Sequence, residues 1–447
     1  MITGEDIKLT LDCLEFARQK GASSARITLT KSTEDLVATL DGAVDRVTRC
    51  EDRSMNISLF VDGRFGSFSI NKLERTAVED FIVRAVDMVR MLAPDGFRKL
   101  TDPALQCTDA ISGNELDTYD PACSEITPEQ RVRLALGLSI TGSKDLEGLP
   151  YDVISEEGEY SDSLYDVFVA DTQGLRCRHT ETNFDYGVEV TIEDREGNKY
   201  SDYWWESSSR FSSLDASDCG RVAVRRAAAQ IGSKPVCSGK YNMVVATEAA
   251  SKMVSPLLRA LNAYSIQQGN SFLSDSLGRK IFPEGMTLMD CPHRKGESGS
   301  KLFDSEGTAT SEVPIIEKGV VKQYFINSYM SGKMGMPQTV EDATRPVLMP
   351  WPEPGLDQEE LMRRVGNGIL VKEFNGGNSN SATGDFSFGI TGELFKDGKV
   401  AGPVNEMLVT GNFIDLWSHL TAVADDCRPC MSKLIPTLAF SNVDFNG

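Results

Sequence analysis

At 447 residues, 40% hydrophobic and 25% charged, the chain has the composition of an ordinary soluble globular protein and is long enough for two or three domains. A formal net charge of −20 argues against nucleic acid as a direct ligand, because phosphates are repelled. No apolar run approaches the roughly 20 residues that span a bilayer, and the opening MITGEDIKLTLDCLEFARQKG has neither the basic nor the apolar region of a signal peptide, so a cytoplasmic location is expected.

The first predicted element is a helix from Gly4 to Lys20, with Ile7, Leu11 and Leu14 on one face and Gly21 as a stop. Strands are predicted over 25–30, 35–40, 44–51, 54–61 and 65–69, with Asp62-Gly63-Arg64 turning the last two. A helix over 72–92 places Leu73, Ala77, Phe81, Ala85, Met88 and Leu92 on one stripe, ended by Pro94 and Gly96. Residues 94–126 are polar and irregular and read as a surface excursion. Thr127-Pro128-Glu129-Gln130 opens a helix running towards Gly142, with a capping box and proline in the first turn. A second meander occupies 151–205, with strands at 164–171, 174–182, 185–192 and 199–205. An alanine-rich helix over 215–231 precedes Gly232-Ser233-Lys234-Pro235, where the boundary between an N-terminal unit, 1–232, and a C-terminal unit, 233–447, is expected.

The second half opens with a strand, 240–246, and a helix from Thr247 to Tyr264 that contains Pro256. Short strands and turns follow at 272–275, 286–290, 303–307, 313–317 and 320–327, the last two joined by Lys318-Gly319. Residues 337–355 carry five prolines and read as a long ordered loop before a helix at 357–365. Between Phe374 and Asn412 lie eight glycines among strand-like pieces: 385–390, a hairpin turn at Asp397-Gly398, and 404–409. A last strand is expected at 435–443. The fold class is α+β: N-terminal helices with an antiparallel sheet, then a mostly β, barrel-like C-terminal domain.

The three histidines, His179, His293 and His419, form no H-E-x-x-H array, which needs two imidazoles on one helical face to hold zinc. No G-x-S-x-G elbow, P-loop or G-x-G-x-x-G fingerprint is present. Asp304 and Glu306, in FDSEG, are the candidate catalytic carboxylates; a turn closed by Gly307 accounts for the same residues. Eight of the ten cysteines are scattered singly and expected to be reduced. Cys427 and Cys430 form the one C-x-x-C pair and are the candidate metal ligands, without a second pair or metal-spaced histidines. The glycine-rich loop at Asn375, Gly376, Gly377 and Asn378, with the following Thr383, Asp385 and Phe386, is the candidate substrate-binding segment. Such a loop can bring backbone groups up to an extended chain, while spacing alone favours an ordinary surface connection.

The segments FLSDSLGRKI (272–281), FDSEGTAT (303–310), IIEKGVVKQYFINSY (315–329), ATGDFSFGITGELFKDGK (382–399) and PVNEMLVTGN (403–412) together resemble the TldD/PmbA family, also labelled modulator of DNA gyrase. The layout of the first half is similar as well. In that family TldD-type subunits carry H-E-x-x-x-H on the helix that opens the second domain and act as zinc metalloproteases. TldE (PmbA)-type subunits pair with them and lack the metal site. The corresponding helix here, from Thr247 to Leu258, has no histidine, so the chain is similar to the TldE type. The resemblance implies no cofactor in this chain, zinc in a TldD-like partner, and unfolded or extended peptides as substrates. The alternatives are a peptide-binding scaffold that forms a homodimer when alone, and an independent hydrolase using Asp304/Glu306 or Cys427/Cys430.

Overall fold

The computed structural model describes all residues from Met1 to Gly447. Helix α1 (Gly4–Gln19) starts at Thr3, whose side chain and that of Asp6 each accept from the other's backbone N–H, satisfying orphan donors of the first turn. Strands β1 (Ser24–Leu40), β2 (Ala43–Val61) and β3 (Arg64–Ile70) follow, then α2 (Arg75–Arg90) and α3 (Pro128–Gly137). Strands β4 (Tyr151–Asp171), β5 (Arg176–Asp194) and β6 (Lys199–Ser208) and helix α4 (Cys219–Ala228) complete the first half. Its six strands form one antiparallel sheet in the order β3-β2-β1-β4-β5-β6.

Alternation along β1 assigns the two faces. Ile27, Leu29 and Val37 point one way and are buried, as the two-residue period of a strand requires. They meet two groups of helices: Leu14 of α1 with Val78, Ile82 and Val86 of α2, and Ala223 and Ala227 of α4 with Tyr160, Tyr186 and Val188. On the opposite face, Val167, Val169 and Cys177 pack against Phe303 and Leu302 of the second half. The far end of that face stays open.

Three expectations are corrected here. The pairs 25–30/35–40 and 44–51/54–61 are single strands, because pairing continues through the polar run Ser32–Asp35 opposite 49–52. Residues 43–53 of β2 are exposed on both faces and β3 pairs only with 55–61, so hydrophobic alternation had nothing to mark. On α2 the buried stripe is Val78, Ile82, Ala85, Val86 and Val89, while Met88 and Leu92 are exposed; the sheet selects the β-branched stripe beside the expected one. The helices predicted over 127–142 and 215–231 shorten to α3 and α4.

The second half begins with β7 (Gly239–Val245), α5 (Thr247–Ala260) and α6 (Ala263–Gln267), then β8 (Leu288–Asp290), β9 (Val313–Glu317), β10 (Val320–Val321), α7 (Ser328–Met334), β11 (Pro346–Leu348) and α8 (Gln358–Val365). The remaining elements are β12 (Gly368–Phe374), β13 (Asn378–Ser379), β14 (Asp385–Lys396), β15 (Lys399–Asn412), α9 (Phe413–Ser418), β16 (Leu420–Val423) and β17 (Leu438–Asn446). The sheet β12-β7-β17-β15-β14 closes on itself through the additional β12–β14 pairing, giving a five-stranded barrel. A closed sheet has no free edge. Strand β12 is the closing element, missed because GILVKEF sits between a helix and the glycine-rich loop without alternation. The expected strands at 272–275 and 303–307 are turns, with one isolated bridge between Phe303 and Ala309. The main core combines the barrel interior with the inner face of α5, where Met253, Val254 and Leu257 meet Trp417 and Phe440, all fully or nearly fully buried. No helix is long and apolar enough to cross a membrane.

Candidate functional site

The outer face of α5 forms one wall of a cleft of about 520 Å³ between the two halves of the chain. With Met253, Val254, Leu257 and Leu258 turned into the core, helical spacing leaves Glu248, Lys252, Ser255, Pro256 and Arg259 on the outer stripe, and all five line the cleft. Pro256 has no N–H to offer the carbonyl of Lys252, so one backbone acceptor on this wall is released from the helix. The opposite wall is Tyr203 and Trp205 of β6 and Arg226 of α4; Lys372, Glu373 and Phe374 from the end of β12, with Gly377, Asn378 and Ser379, close the third side.

Charges in the cleft fall into two sets. Arg226 pairs with Asp202 at 2.9 Å, and Lys372 with Glu393 at 2.6 Å. Glu248, Lys252, Arg259 and Glu373 take part in no ion pair; the Lys252 ammonium instead stands 4.7 Å from the centroid of the Phe388 ring. Burial, reinforced by nearby Asp202, pushes the Glu373 carboxyl above its usual range. The rings of Tyr203 and Trp205 stack 5.5 Å apart. The guanidinium of Arg428 lies 4.0 Å from the centroid of Trp204 and 4.5 Å from that of Trp205, and its Nη2 donates to the Trp205 carbonyl and to Glu206. Arg428 thus clips the edge strand of the first sheet to the loop between β16 and β17.

The candidate substrate-binding segment divides. Gly377 and Asn378 line the cleft. Asn375 turns its amide to Thr391 at 2.8 Å and Gly376 is exposed beside it. Gly377 has φ +89°, and a Cβ there would fall 2.1 Å from the carbonyl oxygen of Ser387; a Cβ on Gly389 would fall 2.4 Å from that of Asn375. The paired glycines let loop backbone lie flush on β14. Thr383 and Asp385 make a closed turn, with Thr383 Oγ1 donating to Asp385 at 2.6 Å and Asn412 Nδ2 at 2.9 Å. Phe386 is buried against Phe388 and Phe413.

Asp304 and Glu306 lie apart from this cleft. Asp304 accepts from the backbone N–H groups of Glu306, Thr308 and Glu341, and burial with Glu341 beside it pushes its carboxyl up to about 7. Glu306 accepts from the N–H and hydroxyl of Ser328, both at 2.8 Å, at the N-terminus of α7 where the helix dipole favours an anion. Cys427 and Cys430 flank Arg428. Burial, with Asp426 and Asp425 nearby, pushes the Cys427 thiol up to about 11, and burial raises that of Cys430 as well; the pair belongs to no group of three or more His, Cys, Asp and Glu side chains placed to hold a metal. His179 meets Glu181, His293 meets Thr310, and His419 meets the Asp415 carbonyl.

Residues 121–231 match the family model for the PmbA/TldA metallopeptidase central domain, and residues 238–447 match that for the C-terminal domain. The chain belongs to the PmbA/TldD family. The Metalloprotease PmbA of Escherichia coli O157:H7 is 28% identical over 436 residues, covering 95% of this chain and 93% of that one. A crystal structure of a protein named a modulator of DNA gyrase, from Bacteroides thetaiotaomicron, superposes with a TM-score of 0.94 at 36% identity, covering 100% of both chains. TldE from Thermococcus kodakarensis shares the fold, with a TM-score of 0.83 at 19% identity over 98% of this chain and all of that one.

The metallopeptidase name implies a zinc ion. A catalytic zinc takes about three protein ligands from imidazole, carboxylate and thiolate. The cleft face of α5 offers one carboxylate, Glu248, and two cations; no group of three or more His, Cys, Asp and Glu side chains is placed to hold a metal. The residues present do not fit the ion. The sequence carried a signal for the cleft that its reading passed over: Glu248, Lys252, Ser255 and Arg259 form a polar stripe opposite the apolar one. The run Tyr203-Trp204-Trp205 on an edge strand is a second.

Proposed function

We propose that this chain is the non-catalytic, TldE-like subunit of a PmbA/TldD-type metalloprotease complex, in which a TldD-like partner carries the zinc and this subunit holds unfolded or extended peptide. The observation that carries the reading is the outer face of α5. It borders the cleft between the halves, which meet on this reading near residues 232–233, yet presents a single carboxylate, Glu248, with Lys252, Ser255 and Arg259, short of the three donors a catalytic zinc takes. Stacked aromatics, the released Lys252 carbonyl and the short strand β13 on the rim suit a ligand held by its backbone and by apolar contact. The unpaired edge of β2 over 43–53 supports a partner, because such an edge is a template for another chain. Asp304 and Glu306 are read as a turn and a helix cap, and Cys427 and Cys430 as the frame of Arg428.

The test is co-expression with a TldD-like chain from the same genome, followed by native mass spectrometry and metal analysis. The expected product is a complex of the two chains with zinc bound only when the partner is present. A homodimer of this chain that holds stoichiometric zinc by itself overturns the proposal.

A further inference from the structure

The cleft does not end at Tyr203 and Trp205. The same two residues, with Trp204, wall a second depression of about 600 Å³ over the open end of the first sheet. Register places its floor: Tyr203 lies opposite Glu189, which lies opposite Glu157. At the usual strand spacing Glu157 is therefore about 10 Å from the aromatic pair. Along α5, from Glu248 to Arg259, the first cleft runs about 16 Å. The two arms together give a path of about 26 Å, the length of roughly eight extended residues.

Unpaired charge is sorted along this path. Over the sheet, Asp45, Glu157 and Glu189 have no ion pair, and the one cation there, Arg46, is already 3.9 Å from Glu159. At the junction stand two unpaired carboxylates, Glu248 and Glu373, and Glu373 feels the negative charge of Glu189. Beyond it, towards the C-terminal end of α5, the unpaired charges are Lys252 and Arg259. In a chain of net charge −20, two cations without a carboxylate partner on one wall of a cleft are a local reversal of sign. They stand seven residues apart on one helix face, about 10 Å along its axis, between the same-face spacings of an extended chain, about 7 Å for positions two apart and about 13 Å for four, a difference these long side chains can span.

We propose that the two depressions form one groove with built-in polarity, which takes an extended peptide with its acidic side chains against Lys252 and Arg259 and its lysine or arginine side chains over the acidic sheet face. The inference rests on the peptide-holding role above and adds the substrate class: peptides whose opposite charges are segregated into two blocks. Tyr203 and Trp205 sit between the charged ends and meet the central residues.

The experiment uses the full-length chain and fluorescent eight-residue peptides, acetylated and amidated so that only side chains carry charge. One peptide has an acidic block followed by a basic block, one has the reverse order, and one alternates the same residues. One of the two block peptides is expected to bind roughly fivefold tighter than the alternating one, the worth of two exposed ion pairs. The K252E/R259E variant is expected to lose that preference, as is the milder K252Q/R259Q pair if charge reversal impairs folding. Equal binding of block and alternating peptides, or a preference that survives in the variants, overturns the polarity and leaves peptide binding standing. No binding of any peptide or of unfolded casein overturns the peptide-holding role itself.

Discussion

Replacing Arg428 by alanine removes the clip between the two halves. The head group stands over two indoles, each contact worth about 1 kcal/mol when partly desolvated. Its Nη2 donates to the Trp205 carbonyl and to Glu206, worth about 2 kcal/mol for a charged donor. Against this, Nη1 is buried without an acceptor, a cost of about 1–2 kcal/mol already borne by the native protein. The net loss in R428A is therefore about 2 kcal/mol. In urea denaturation followed by tryptophan fluorescence, the midpoint is expected to fall by roughly 0.7 M for a slope near 3 kcal/mol/M. R428K is expected to recover about half, because an ammonium keeps the charge but lacks the planar fork that covers both rings. Peptide binding is expected to weaken in both variants, since Trp205 walls both arms of the groove. An R428A midpoint equal to wild type, or an R428K variant no better than R428A, refutes the reasoning.

Three further substitutions probe the rest of the account. G377A forces a side chain into positive φ and against the Ser387 carbonyl; peptide affinity is expected to drop with a stability loss of about 1–2 kcal/mol, measured by anisotropy and thermal melts. R131L leaves the buried Asp162, which Arg131 meets at 2.6 Å, without its cation, and leaves Asp35, 3.2 Å from Arg131, to Arg49 alone; denaturation is expected to show a loss of about 3–5 kcal/mol. D304N replaces an acceptor by a donor in a turn held by three N–H groups and is expected to cost about 2 kcal/mol with no change in peptide binding. For wild type, the Asp304 carboxyl near 7 lies above the unfolded value of about 3.9. The folded state keeps a proton that the unfolded state releases, so this residue's contribution is full below pH 4 and is lost as pH rises towards 7. D304N is expected to flatten that slope in pH-dependent melts.

Elements with a clean period were legible. The helix from Gly4 and the capping box at Thr127 follow from local chemistry, and the 397–398 turn from its Asp-Gly. The α+β class and the barrel follow from the order of such elements. What escaped was set by partners distant in sequence. The polar run 32–35 continues a strand because β4 and β2 lie on both sides of it. The buried face of α2 is chosen by the sheet, and β12 is a strand because β7 and β14 flank it. In the cleft, Gly377 and Asn378 were within reach of composition. Tyr203 and Arg226 were not, since they reach the cleft from a strand and a helix of the other half and no local pattern ties them to α5. The polar stripe of α5 marks Lys252 and Arg259 in the sequence itself.

Cleavage of an unfolded protein should be followed with this chain alone, with the proposed TldD-like partner alone, and with both. No cleavage by this chain is expected at any zinc concentration, and chelator-sensitive cleavage is expected when the proposed partner is added. Chelator-sensitive cleavage by this chain alone contradicts the non-catalytic role.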